Sequence, residues 1–242
     1  MPDDIDLPPL LGPKRKPTAE RPLLGLTVLV VEDSRFACEA MRLLCLRSGA
    51  RIRRADCLAS AHRHLAVYRP TAVVIDLGLP DGSGADLIKE LAQVTPRVPV
   101  ILGTSGTADA NETAMTAGAD GFLLKPISNL TVFQQAILQH LPKTTAFSGP
   151  KPVSKALIDP DPIALKDDLA HIADILSSRS DPKTLDYVAQ FLASIASSAI
   201  DSNLAEAAAN LSQARARGTS AGSAIAHINS LVGIRLAQAR TI

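Results

Sequence analysis

Five short runs, four of them strongly apolar, alternate with stretches of helical periodicity, and this alternation limits the fold more than any other feature of the chain. Leu26–Val31 ends in Glu32-Asp33, Ala72–Ile75 ends at Asp76, Val98–Leu102 leads into Thr104-Ser105, and Phe122–Leu124 ends at Lys125-Pro126; Arg51–Ala55 is a weaker member of the set. Between them lie segments with apolar residues at helical spacing. Ser34 is placed to cap a helix carrying Phe36, Met41, Leu44 and Cys45 and stopping at Gly49. Further helices are expected from about Leu58 to Tyr68, Asp86 to Val94, Asp109 to Ala117 and Leu130 to Leu141. Runs this short, each followed by a helix, predict a doubly wound parallel sheet of five strands with helices on both faces.

Prolines divide the rest. Residues 1–22 carry six and are expected to be a disordered, extended tail, with Lys14-Arg15-Lys16 solvated. Residues 23–141 hold the α/β unit, and the proline-rich residues 142–162 read as a linker. Residues 163–242 show no strand pattern. Leu165, Leu169, Ile172 and Leu176 lie at helical spacing, as do Leu185, Val188, Leu192, Ile195 and Ala199. The same holds for Leu204, Ala208 and Leu211, and for Ile225, Ile228 and Val232. A small all-α domain of four helices is predicted. Its alanine-rich helices bury little area each, so dimerisation is a natural way to bury more.

Bulk properties narrow the function. The net charge is +1, which gives no electrostatic footprint for nucleic acid or an anionic membrane. Cys38, Cys45 and Cys57 are odd in number and lack C-x-x-C spacing, so they read as packing residues of a reducing compartment. No apolar run approaches the roughly 18 residues of a membrane span, and Met1-Pro2-Asp3-Asp4 does not resemble a secretory signal. A cytoplasmic protein is expected.

In an open parallel sheet, ligands bind beyond the carboxyl ends of the strands. Glu32, Asp33, Asp76, Thr104, Ser105 and Lys125 all fall there. Three carboxylates in one pocket repel one another, and a hard divalent cation such as Mg²⁺ relieves the repulsion. With a lysine and a hydroxyl beside them, they suit attack of a carboxylate on phosphorus, giving an aspartyl-phosphate.

Four stretches carry a resemblance to the receiver domains of two-component response regulators: residues 28–33, Val74–Gly84 with its Leu79-Pro80-Asp81-x-x-Gly84 turn, Pro99–Ser105, and Ala117–Pro126. The resemblance implies a flavodoxin-like sheet order and Mg²⁺ held by Glu32, Asp33, Asp76 and the backbone of Gly78. It implies Asp76 as phosphoacceptor, Lys125 as the phosphoryl contact, and a cis Lys125-Pro126 peptide. The switch hydroxyl is Thr104 or Ser105, with Thr104 favoured. Phe122 stands where many relatives have tyrosine, and is expected to face the helix from about Leu130 to Leu141 and carry the switch to the linker. Such a protein is a regulatory phosphoacceptor, catalysing only its own phosphorylation and dephosphorylation. Its donor would be a sensor histidine kinase or a histidine phosphotransfer protein.

Three outputs suit the C-terminal helices. The preferred one is a protein-interaction or dimerisation module. A nucleic-acid-binding output would have to use Arg215, Arg217, Arg235 and Arg240, which read as a solvated face. A phosphotransfer module would use His171, which falls nearly opposite the apolar stripe of its helix, but Asp174 and Ile175 follow where a lysine and a small residue are usual. His227 is expected at the edge of the last stripe.

Overall fold

The computed structural model describes residues 16–142, 157–178 and 181–238. Most of the proline-rich tail and most of the linker lie outside these residues. The sheet comprises β1 (Thr27–Val31), β2 (Arg51–Ala55), β3 (Ala72–Asp76), β4 (Val100–Ser105) and β5 (Gly121–Leu124), all parallel, in the order β2-β1-β3-β4-β5. The helices between them are α1 (Arg35–Ser48), α2 (Leu58–Val67), α3 (Gly84–Gln93), α4 (Ala110–Ala117) and α5 (Leu130–Leu138).

Central β3 is buried at every position, because helices cover both faces of the sheet. One face packs Val28, Val30, Val74 and Leu123 against Met41 and Leu44 of α1 and Phe133 and Ile137 of α5. The other packs Leu29, Val73, Ile75 and Ile101 against Leu87 and Ile88 of α3 and Ala114 of α4. Edge strand β2 turns Arg51, Arg53 and Arg54 to solvent, which blunts its unpaired side.

Two expectations about the sheet are corrected. Strand β4 extends to Ser105, so Thr104 and Ser105 lie within it, opposite Asp76 and Leu124. Phe122 does not face α5. Side chains alternate along a strand; Leu123 takes the α1–α5 side, and Phe122 packs half-buried beside Ala114 and Ile88 on the other.

Among the described residues the C-terminal unit has four helices: α6 (Pro162–Ser178), α7 (Pro182–Ala199), α8 (Ser202–Ala216) and α9 (Gly222–Gln238). Asp181 caps α7 ahead of Pro182, and Asp201 caps α8 by accepting from the Asn203 and Leu204 amides. Leu169, Ile172, Val188, Leu192, Ile195, Leu211, Ile228 and Val232 form its core. Among the described residues no helix is long and apolar enough to cross a membrane.

The unit rests on the α/β domain. Ile158, just before α6, is buried in the α1–α5 core, and its amide donates to the Ser128 carbonyl (2.8 Å). Helix α6 then packs along α1, and α7 crosses the carboxyl ends of the strands.

Candidate functional site: an acidic pocket beneath a helix

Strands β1, β3 and, one strand further across the sheet, β5 end on the same edge and deliver Glu32 and Asp33, Asp76, and Lys125 to one pocket. Glu32, Asp33 and Asp76 each bring a carboxylate oxygen within 4.8 Å of the others. The Lys125 ammonium lies 2.7 Å from Glu32 Oε2 and 3.1 Å from Asp76 Oδ2. The Lys125–Pro126 peptide is cis. Behind Asp76 the chain doubles back through a two-strand hairpin, Gly78–Leu79 against Gly82–Ser83. Gly84 closes it: a Cβ there would stand 1.9 Å from the Asp76 carbonyl oxygen, so the turn admits no side chain. Asp81 is spent outside the pocket, accepting from the Leu58 and Ala59 amides at the start of α2.

The pocket is electrostatically unbalanced. Burial, reinforced by Asp76, pushes the Asp33 carboxyl up to about 7, although Tyr187 and Lys125 oppose the shift. Burial likewise raises Glu32, against the pull of Lys125. Burial alone would lower Lys125, yet Asp76 and Glu32 more than offset it and hold the ammonium above the ordinary lysine range. Asp33 Oδ1 is buried and has no hydrogen-bond partner among the described residues. An orphaned oxygen among three crowded carboxylates is the donor set a hard cation takes, so these residues fit Mg²⁺.

Neither candidate switch hydroxyl touches Asp76. Thr104 is buried and donates to the Leu123 carbonyl (2.7 Å), whereas the Ser105 hydroxyl turns to Thr107.

The structure adds residues that sequence reading did not assign, all from the C-terminal helices. Tyr187 donates to Asp33 Oδ2 (2.8 Å). Ser194 accepts from Lys125 Nζ (2.6 Å), and Ser197 donates to the Lys125 carbonyl (2.8 Å). Gln190 lies over Gly78, where a Cβ would stand 2.5 Å from its side chain. Gly106 lies under the α7 backbone; a Cβ there would be 3.1 Å from the Ala193 carbonyl oxygen. From α6, Asp168 accepts from the Ser34 hydroxyl (2.7 Å) and from the amides of Arg35 (2.8 Å) and Phe36 (3.0 Å), capping α1 from another element. Asp167 pairs with the Arg35 side chain. Asp168 could have been noticed, because it shares the apolar stripe of Leu165, Leu169 and Ile172, where a carboxylate needs a reason. Tyr187 and Ser194 also share a face, on α7, but an alanine-rich helix gives a lone hydroxyl no prominence.

His171 is exposed and meets the Phe191 ring edge-on. His227 is exposed on α9.

Comparison with known proteins agrees with the α/β half. The response regulator receiver domain family matches residues 28–137. The chain is 32% identical over 129 residues to the KDP operon transcriptional regulatory protein KdpE of Escherichia coli, covering 53% of this chain and 56% of that protein. It is 30% identical over 119 residues to the virulence transcriptional regulatory protein PhoP of Salmonella typhimurium, covering 48% and 53%. The chain thus spans about half the length of these curated relatives. Among solved structures, the chemotaxis response regulator CheY4 of Vibrio cholerae aligns with 48% of this chain and 98% of its own, at 20% identity and a TM-score of 0.43.

Proposed function

We propose that this chain, whose residues 28–137 are a response regulator receiver domain, takes a phosphoryl group onto Asp76 and passes the signal to its own C-terminal helices. The observation that carries this reading is the buried cluster of Lys125 with Asp76 and Glu32 at the carboxyl ends of β1, β3 and β5. A carboxylate oxygen of Asp76 attacks phosphorus on a phosphohistidine donor; the P–O bond forms, the P–N bond breaks, and the leaving nitrogen keeps the electron pair. Lys125 stands beside the nucleophile to neutralise phosphoryl oxygens as charge develops. Glu32, Asp33, Asp76 and the Gly78 backbone would hold Mg²⁺, which when bound neutralises phosphoryl charge. Thr104, opposite Asp76 across the β3–β4 pair, is the switch hydroxyl in this reading, giving up the Leu123 carbonyl for the phosphoryl group. The donor is a histidine kinase or a histidine phosphotransfer protein.

The output is a helical protein-interaction or dimerisation module. The named relatives are transcriptional regulators, but their likeness covers only about half of each. Two of the four arginines that a nucleic-acid output would use are engaged within the bundle: Arg215 with Asp186, and Arg235 with Asp201. Incubation with acetyl phosphate and Mg²⁺ should add one phosphoryl group, mapped to Asp76 by peptide mass spectrometry. Labelling that survives Asp76→Asn would overturn the assignment.

A further inference from the structure

We propose that α6 and α7 form an intramolecular lid, and that the closed lid and the phosphorylated pocket exclude one another. The inference rests on Asp76 as phosphoacceptor and adds how access to it is controlled.

Three observations carry it. First, the pocket is shut: Asp76 and Lys125 are each 3% exposed, and α7 lies across them with Gly78 and Gly106 as its seat. A donor phosphorus must come within bonding distance of an Asp76 oxygen from the open side of the strand ends, and that side is filled. Secondly, α7 uses the atoms that phosphorylation needs. Tyr187 holds Asp33 Oδ2, an oxygen of the cation-binding set, and Ser194 takes a hydrogen bond from the ammonium that must turn to the phosphoryl group. The Ser194 hydroxyl stands where a phosphoryl oxygen would accept from Lys125. Thirdly, α6 closes the approach. Asp168 covers the first turn of α1, directly after Glu32 and Asp33, so a helical phosphohistidine protein and α6 compete for one face.

Linkage then runs both ways. Whatever the lid costs the phosphoryl group, the phosphoryl group costs the lid. Phosphorylation opens α6–α7 through the pocket itself, not through Phe122 and α5, and frees the faces that carry Tyr187, Gln190 and Ser194 for a partner.

The test uses the full chain and a Tyr187→Phe/Ser194→Ala double variant. Both substitutions keep side-chain volume, and the Phe ring preserves the stack on Phe191. Circular dichroism establishes that the variant is folded. Each lost bond joins a hydroxyl to a buried charge, so labelling by acetyl phosphate and affinity for beryllofluoride with Mg²⁺ should each rise about 10-fold or more. In the parent chain, beryllofluoride with Mg²⁺ should speed hydrogen exchange in α6, α7 and the first turn of α1. Equal labelling and beryllofluoride midpoints in parent and variant, or unchanged exchange in α6–α7 with beryllofluoride bound, would sink the lid and leave the phosphoacceptor assignment standing. Failure of both proteins to label would sink that assignment and the lid with it. Labelling of the variant alone would support both.

Discussion

Replacing Asp168 with alanine removes the carboxylate that fastens α6 to the start of α1. Its Oδ2 accepts from the Ser34 hydroxyl and the Phe36 amide, and its Oδ1 accepts from the Arg35 amide. A hydrogen bond to a charged group contributes roughly 1.5–3 kcal/mol, but three bonds sharing one carboxylate do not add, and the side chain is almost fully buried. A net loss of about 2–4 kcal/mol from docking follows. The loss has a ceiling: once it exceeds the docking free energy, α6 and α7 lift and water satisfies the freed donors. Asp168→Asn should fall between, since its single oxygen serves one donor set and its amide nitrogen faces the other. Burial raises the Asp168 carboxyl above the ordinary aspartate range, although the Phe36, Arg35 and Ser34 donors oppose the shift. The docked state therefore binds this proton more tightly than the undocked state. Docking should tighten as pH falls through the raised value, with the gain complete below the ordinary aspartate value, and Asp168→Ala should lose this dependence. Hydrogen exchange reads both effects. Amides of Arg35, Phe36 and Ala37 should exchange faster in the alanine variant, while β1 and β3 keep their protection. Exchange at the start of α1 and in α6 that matches the parent would refute the reasoning.

Other outcomes follow from single contacts. Gly84→Ala should cut acetyl phosphate labelling at least 100-fold, an order-of-magnitude expectation for displacing a reacting group by about 1 Å, because its Cβ would drive into the Asp76 carbonyl oxygen; labelling at the parent rate would show that the turn relaxes freely. Thr104→Ala should leave labelling and the opening of α6–α7 largely intact but abolish the beryllofluoride-induced change in exchange in α4, with Ser105→Ala mild; the reverse pattern moves the switch to Ser105. Asp201→Ala should lower stability by about 1–3 kcal/mol in urea titrations, since one carboxylate both caps α8 and pairs with Arg235 of α9; an unchanged midpoint would mean the pair is idle. The His62 imidazole, raised by its hydrogen bond to Glu90, should titrate by NMR above an ordinary histidine and fall back in Glu90→Gln.

The α/β half was legible because its signals are local and repeated. Four of the five strands lead into residues with evident chemistry, and Ser34, Gly49 and Gly118 mark helix ends by capping chemistry that depends on near neighbours alone. The fate of Phe122 was not legible: with three short strand residues and polar neighbours, alternation could be phased either way until Leu123 was seen to fill the α5 side. The four C-terminal helices were readable from their apolar spacing. Their position was not, because docking rests on polar residues 69 or more positions from their partners: Tyr187 on Asp33, Asp168 on Ser34, and Ser194 on Lys125. Nothing in a hydroxyl's own neighbourhood states which charge it will meet.

The character of this docking bears on its reversibility. An apolar seam would hold α7 through burial that neither Mg²⁺ nor a phosphoryl group alters. Here the contacts nearest the pocket are hydroxyls on charged atoms, and each is an exchangeable partner: Asp33 can trade Tyr187 for a cation, and Lys125 can trade Ser194 for a phosphoryl oxygen. Packing at the seam is also incomplete. A partly open cleft of about 30 Å³ remains among Phe36, Met41, Ile158 and Ser198. Part of what holds this interface is therefore a set of bonds that the proposed ligands compete for directly. A coupling of about 1–3 kcal/mol, enough to shift the closed population 5- to 150-fold, needs only one or two of those bonds to change hands. Under the lid proposal, the same economy predicts that Ser194→Ala alone should weaken closure without unfolding the bundle, since the Ser194 hydroxyl bonds to Lys125 of the receiver. Retained thermal stability together with faster exchange in α7 would be the signature. Stability lost in step with exchange would instead show that the hydroxyl serves the fold of the bundle and not its docking.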